Sequence, residues 1–240
     1  MLLLDVKDLQ KAYGQKQILN NLSFSVNKGE VVGLLGPNGA GKTTAFYLTM
    51  GLIKPDSGQI FFNSEDITHL PIHKRSHKGM GYLAQEPSVF RQLTVEENIL
   101  CILEITTPKL QDRKQRLEQL LSELHLESLA KKKACTLSGG ERRRLEITRA
   151  LITNPSLLLL DEPFANIDPK TIYDVKMMIR LLKQKGISIL ITDHNAREIF
   201  SIVDRNYLIQ DGRVTLSGTV DTLLNDPAAR ASYLGDDFKL

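Results

Sequence analysis

Residues 36–44, GPNGAGKTT, limit what this chain can fold into more than any other stretch. They follow an apolar run, VVGLL at 31–35, and lead into Ala45, Phe46, Tyr47 and Leu48. This is the phosphate-binding-loop pattern GxxxxGK[ST], in the strand–loop–helix setting that the pattern requires. Gly36, Gly39 and Gly41 let the backbone turn tightly with its N–H groups aimed inward, and Pro37, Asn38 and Ala40 complete the cradle. The helix that follows adds the positive end of its dipole. Lys42 is expected to reach the β- and γ-phosphates and the Thr43 hydroxyl to ligate Mg²⁺, with Thr44 beside it. The stretch predicts binding of a nucleoside triphosphate.

The 240 residues suffice for one α/β domain, or one core with a subdomain. A net charge of +3 is too small to argue for nucleic acid or a lipid surface. Cys101 and Cys135 lie far apart without metal-ligand spacing, and a disulfide is not expected. The apolar start, MLLLD, is too short for a signal peptide, and no apolar run approaches bilayer thickness. The expectation is a cytoplasmic protein that reaches any membrane through another subunit.

Residues 2–6 read as a short strand, and Leu22, Phe24 and Val26 alternate with serines as a half-buried one. Tyr13 stands before them, and packing on the sheet edge and stacking on an adenine ring are equally open to it. His69, His73 and His77 recur every fourth residue, but no carboxylate or cysteine joins them, so a solvated basic face is expected. Residues 79–84 read as a strand that ends at Gln85, a candidate contact to Mg²⁺ or an attacking water. Thr94 and Glu97 mark a capped helix start, and 111–133 has helical composition with Leu117, Leu120, Leu121 and Leu124 on one face. Together these predict a helical subdomain over roughly residues 86–153.

In LSGGE, 137–141, Ser138 and Glu141 are spaced as a capping box. Capping does not explain Gly139 and Gly140, which each weaken a helix by roughly 1 kcal/mol. Glycines at a capped N-terminus suit close approach of an anion to the backbone. The wholly apolar 157–160 ends in Asp161 and Glu162. Asp161 fits a role on Mg²⁺ or its water, and Glu162 the orientation or deprotonation of a water. A further buried strand, 187–191, ends in Thr192, Asp193 and His194; Asp193 could cap a following helix with His194 an ordinary helix-start residue, but the strand-end position makes His194 a candidate γ-phosphate contact. Asp211-Gly212 signals a hairpin.

Tyr13, GPNGAGKTT, Gln85, LSGGE, LLLLDEP and His194, in that order, resemble the ATP-binding-cassette ATPases over nearly the whole chain. The resemblance implies a RecA-like P-loop NTPase core of α/β class, an antiparallel β-subdomain and an inserted α-helical subdomain. It implies ATP and Mg²⁺ as cofactors, ATP hydrolysis, and a head-to-tail homodimer. Lys42, Thr43, Gln85, Asp161, Glu162 and His194 would then act in one copy. Ser138, Gly139, Gly140 and Glu141 would meet the triphosphate from the other, and Asn166, Ile167 and Asp168 would line the seam. Two departures stand out. Glu141 replaces a common Gln and is expected to turn back as the capping partner, and Ala165-Asn166 replace a frequent Ser-Ala. A narrower resemblance, in stretches such as PSVFRQLTVEENI and ITDHNAREIF and in the ending YLGDDFKL, is to the branch that powers lipopolysaccharide export. It implies two membrane permease subunits whose coupling helices dock on Ser88, Val89, Phe90 and Arg91, on the cytoplasmic face of the inner membrane. The same motifs leave open the ATPase of a branched-chain amino-acid importer and a soluble, non-transport ATPase of iron–sulfur assembly.

Overall fold

A computed structural model describes the chain except Pro87, Pro108, Asn166, Asp236, Asp237, Lys239 and Leu240. Two long strands open it, β1 (Leu2–Tyr13) and β2 (Lys16–Asn27), paired antiparallel. The short strand expected at 2–6 therefore runs on through the polar residues 7–11. Register shifts after Val6 and Leu9, with Asp8 at φ 50°, let the strand bend while it keeps its partner.

The buried strand β3 (Val31–Leu35) feeds the glycine loop and helix α1 (Lys42–Met50). Strands β4 (Ser57–Phe62) and β5 (Glu65–Asp66) complete an antiparallel sheet of order β2-β1-β4-β5. Helix α2 (Ile72–His77) begins after His69, so the three histidines do not share a helix. Strand β6 (Met80–Leu83) leads to Gln85, and helices α3 (Val95–Thr106), α4 (Leu110–Glu123) and α5 (Gly139–Ala150) follow.

The helix expected over 111–133 stops at Glu123. His125 takes φ 53°, and Leu126 N–H bonds back to the Leu121 carbonyl at 2.8 Å, closing the helix as a left-handed cap. Glycine is the usual signal for this cap; here burial of Leu124 and Leu126 holds a histidine in its place.

Strand β7 (Leu157–Asp161), helix α6 (Pro169–Gln184), strand β8 (Ser188–Thr192), short helix α7 (Ala196–Phe200), the hairpin β9 (Arg205–Gln210) and β10 (Arg213–Gly218), and helix α8 (Val220–Asn225) complete the elements that matter here. The central sheet has the order β10-β9-β3-β8-β7-β6, parallel from β9 to β6. Both its faces are covered, which is why β3, β7 and β8 are buried along their whole length and carry apolar runs rather than an alternation. Val31, Leu158, Leu160, Ile189 and Ile191 pack with the helices, while Val32, Leu34, Leu157, Leu159 and Leu190 pack with Phe46 and the antiparallel sheet.

This order places β3 beside β8 and β8 beside β7. Their carboxyl ends therefore bring the glycine loop, Asp193-His194 and Asp161-Glu162 to one edge of the sheet, where ligands of open α/β sheets bind. Among the described residues no helix is long and apolar enough to cross a membrane.

Candidate active site at the carboxyl edge of the central sheet

The loop is built as its glycines predict. Gly36, Gly39 and Gly41 take φ of 150°, 80° and 102°. A Cβ on Gly41 would sit 2.5 Å from Leu19 Cδ2, and one on Gly36 would strike the Ile209 carbonyl. Gly41 caps α1 without a side-chain acceptor, and no acidic residue occupies the first turn, so the positive end of the helix is left for an anion. Lys42, only 6% exposed, donates through Nζ to the carbonyls of Gly36 at 2.7 Å and Pro37 at 2.9 Å. Burial lowers its pKa, and the nearby Glu162, Asp161 and Asp193 oppose that shift.

A cavity of about 320 Å³ lies over the loop, lined by Asn38, Gly39, Gly41, Lys42, Thr43, Thr44, Glu162 and His194, and by Lys16 and Ile18. The last two, on β2, carry no motif; the packing of residues 18–20 against Gly41 and Gly212 brings them there. Pro37 is exposed and Ala40 buried beneath the loop. Tyr13 is 53% exposed at the end of β1, with the Lys11 ammonium 5.7 Å from its ring, and is not part of this lining.

Facing the loop, Glu162 sits just past β7 with φ 46°, a strained value for a residue with a side chain. Its N–H donates to the Thr192 carbonyl at 2.9 Å, which stitches the ends of β7 and β8. Its carboxylate is held from both sides: Gln85 Nε2 donates to Oε2 at 2.7 Å, and His194 Nε2 lies 2.5 Å from Oε1. The three residues expected to be catalytic from separate strand ends thus meet in one cluster. Asp161, 2% exposed, accepts from Thr192 Oγ1 at 3.0 Å and from the Tyr82 hydroxyl at 3.4 Å. Burial raises the pKa of Asp161, and that of Tyr82 too.

Asp193 has a place that sequence did not reveal. Instead of capping α7, a role taken by Asn195, its buried carboxylate accepts from Phe164 N and Asn195 N, both at 2.9 Å. It therefore pins the chain after Glu162 to the chain before α7. Burial raises its pKa.

The LSGGE segment forms the expected capping box. Glu141 N donates to Ser138 Oγ at 3.3 Å, and Ser138 N donates to Glu141 Oε2 at 2.8 Å. That bond lowers the Glu141 pKa and turns its carboxylate back onto its own helix. Gly140 is buried, with the Thr171 hydroxyl 3.3 Å from where a Cβ would lie, whereas Gly139 has nothing within 4 Å. None of Ser138, Gly139, Gly140 and Glu141 lines the cavity over the phosphate loop. Asp168 caps α6, accepting from Lys170 N, Thr171 N and the Thr171 hydroxyl; Ile167 is half-buried, and Asn166 lies outside the described residues.

Of the expected docking residues, Ser88, Phe90 and Arg91 are exposed. Val89 is a correction: it turns into the apolar core and, at 9% exposure, leaves little surface for docking. The Phe90 ring, half exposed, rests on the Arg149 guanidinium at 4.8 Å, and Arg149 also donates to the Ser88 carbonyl. Asn98, fully buried on α3, brackets the Phe90 backbone, accepting from its N–H at 2.8 Å and donating to its carbonyl at 3.0 Å. An Asn in the buried stripe of Val95 and Ile99 was a readable signal for such a bracket; Arg149 offered none.

A helix-end phosphate cradle opposite a carboxylate steadied by an amide and an imidazole defines a P-loop nucleoside triphosphatase. Comparison with known proteins narrows the class. Residues 19–165 match the family model described as ABC transporter. The lipopolysaccharide export system ATP-binding protein LptB of Acidithiobacillus ferridurans is 50% identical over 99% of both chains. The ADP conformation of MJ1267, an ATP-binding cassette of an ABC transporter, superposes with a TM-score of 0.88 at 32% identity, covering 98% of this chain and 100% of that one. A dimeric post-hydrolysis state of the cassette MJ0796, bound to ADP and Pi, gives 0.78 at 25% identity over 90% and 98%. The chain belongs to the ABC transporter family and is its ATP-binding, ATP-hydrolysing subunit.

Proposed function

We propose that two copies of this chain, paired head to tail, hydrolyse ATP to drive lipopolysaccharide out of the inner membrane. The observation that carries the pairing is Gly139. Its backbone is helical, nothing lies within 4 Å of its Cβ position, and it is absent from the lining over the phosphate loop. The chain's own fold gives no reason for glycine there; a triphosphate held by another copy does. Each reaction chamber would join the phosphate loop, Gln85, Glu162 and His194 of one copy to Ser138, Gly139 and Gly140 of the other, with Asn166, Ile167 and Asp168 along the seam.

Within a chamber Lys42 exchanges its loop carbonyls for β- and γ-phosphate oxygens. Glu162 orients and deprotonates water, and Gln85 and His194 keep its carboxylate facing the loop. Mg²⁺ fits the donors present. Thr43 is exposed, Asp161 offers a buried carboxylate, and Gln85, bonded to Glu162 through its amide nitrogen, has an amide oxygen to offer, a hard-oxygen set suited to an ion that keeps phosphates and waters as its other ligands. The ion would screen charge on the triphosphate. Tyr13, with an exposed ring face, is assigned to the adenine.

The cargo reading is supported by the name and full-length similarity of the A. ferridurans relative. Two membrane permease subunits would dock coupling helices on Ser88, Phe90 and Arg91, placing the dimer on the cytoplasmic face and leaving all bilayer contact to them. Residues 86–153 would swing as a helical subdomain when ATP closes the pair. Purification of the chain from detergent-solubilised membranes tests this. Two permease-type subunits and lipopolysaccharide should accompany the wild type, and Phe90→Ala should lose them while still binding ATP. Partners of an amino-acid importer, or none, would refute the cargo; unchanged recovery with Phe90→Ala would refute the groove.

A further inference from the structure

The helix that carries LSGGE holds a buried ion pair that neither catalysis nor docking uses. Arg143 and Glu146 on α5 are 8% and 4% exposed, with Nη1 and Oε2 at 2.8 Å. Withdrawing both charges from water is costly, and such a pair persists where it fixes an arrangement. The same Arg143 nitrogen leaves its own helix for the Ala84 carbonyl at 3.4 Å. The next residue is Gln85, whose amide holds Glu162. An unbroken chain of contacts thus runs from the signature-bearing helix through Arg143 and the Ala84–Gln85 peptide to the carboxylate assigned to water.

We propose that Arg143 is a positioning residue that couples the two ATP sites of a pair. This rests on the head-to-tail arrangement above. There, α5 meets the triphosphate of the partner's chamber, while Gln85 and Glu162 serve the chamber of their own phosphate loop. Arg143 belongs to α5 and holds the Ala84 carbonyl, one peptide from Gln85, so a shift of α5 on one triphosphate moves the Gln85 amide at the other. The site has room for a second arrangement. A cavity of about 210 Å³ lies between Gly139, Arg143, Glu146, Gln85, Glu162 and Ile167 of the same chain. Arg143 Nε and Glu146 Oε1 are buried without partners among the described residues. Unused donor and acceptor atoms beside free space let the pair re-form when α5 moves, which is what a two-position relay needs.

Steady-state hydrolysis against ATP concentration, melting temperature and ATP-dependent sedimentation of the full-length chain test the coupling. The wild type should pair on ATP with a Hill coefficient above 1, at most about 2 for two sites. Arg143→Lys keeps a cation for Glu146 but has no planar fork to span Glu146 and Ala84 together. It should melt with the wild type and still pair, with a Hill coefficient near 1 and kcat lower by roughly 2- to 30-fold. The neutral pair R143Q/E146Q, which leaves no lone buried charge, should lose cooperativity in the same way. Cooperativity retained by either variant, with folding and pairing intact, overturns the coupling alone. A wild type that shows neither pairing nor cooperativity removes the head-to-tail arrangement and the coupling with it.

Discussion

Helices α1 and α5 both begin at glycines, and they begin for different reasons. At α1 the glycines have left-handed backbone angles, and Gly36 and Gly41 also have neighbours that exclude a Cβ; no side chain caps the helix. Its first N–H groups are left for a ligand, and the loop around them is fixed by the protein itself. At α5 the cap is closed by Ser138 and Glu141, the backbone of Gly139 is ordinary, and the space around it is empty. One end is a finished half of a binding site. The other is a satisfied helix end with a bare patch of backbone. The difference separates glycines that the fold demands from one that only the proposed pairing would explain.

Loss of chemistry should give the largest effect. Glu162→Gln keeps the hydrogen-bonding shape toward Gln85 but removes the base, so turnover should fall roughly 10²- to 10⁴-fold while ATP-bound pairs accumulate. Steady-state hydrolysis with light scattering reads both, and unchanged turnover removes Glu162 from the chemistry. Next comes the comparison itself. Gly139→Ala should stabilise the fold by up to about 1 kcal/mol of helix propensity, and so raise the melting temperature, yet lower turnover roughly 10²-fold through a displaced contact. Gly41→Ala should lower stability and activity together, since φ 102° and Leu19 both oppose a Cβ. Should Gly139→Ala hydrolyse ATP normally, the two glycines do not differ in the way described.

Smaller effects test how the site is held. The folded pKa of Asp193 is raised by burial above its ordinary 3.8. Between those two values the native state binds more protons than the unfolded chain, so stability falls as pH rises through the window and is regained as pH drops. Asn cannot take up that proton. The melting temperature of the wild type minus that of Asp193→Asn should therefore increase as pH is lowered from 7 toward 4. A constant difference would contradict the buried carboxylate. Smallest is Ser138→Ala, which should cost about 1 kcal/mol in urea unfolding through loss of one cap acceptor.

Where function met the backbone, sequence was readable: the glycine loop, the capping box and the strand ends carrying Gln85, Asp161, Glu162 and His194 each have a local signature. What escaped depends on contacts distant in the chain. Lys16 and Ile18 reach the phosphate cavity because β2 packs on Gly41 and on Gly212, which is far away in the chain. Asp193 looked like a helix cap because its true acceptor duty, to Phe164 N–H, is set by the packing of two strand ends. The end of α4 at His125 lacked its usual glycine, and the inward turn of Val89 cannot be told from composition in a loop with an exposed Phe90.

The central claim is that one chain holds half of each chamber, and mixing two crippled chains tests it most directly. Gly139→Ala spoils the face offered to the partner, and Glu162→Gln spoils the chemistry at a chain's own loop. Each alone should be nearly inactive. Combined before ATP is added, they should regain hydrolysis, up to roughly a quarter of the wild-type sites, since half of random pairs hold one intact chamber. A mixture as inactive as its components, with mixed pairs shown to form, would mean that each chain works within itself.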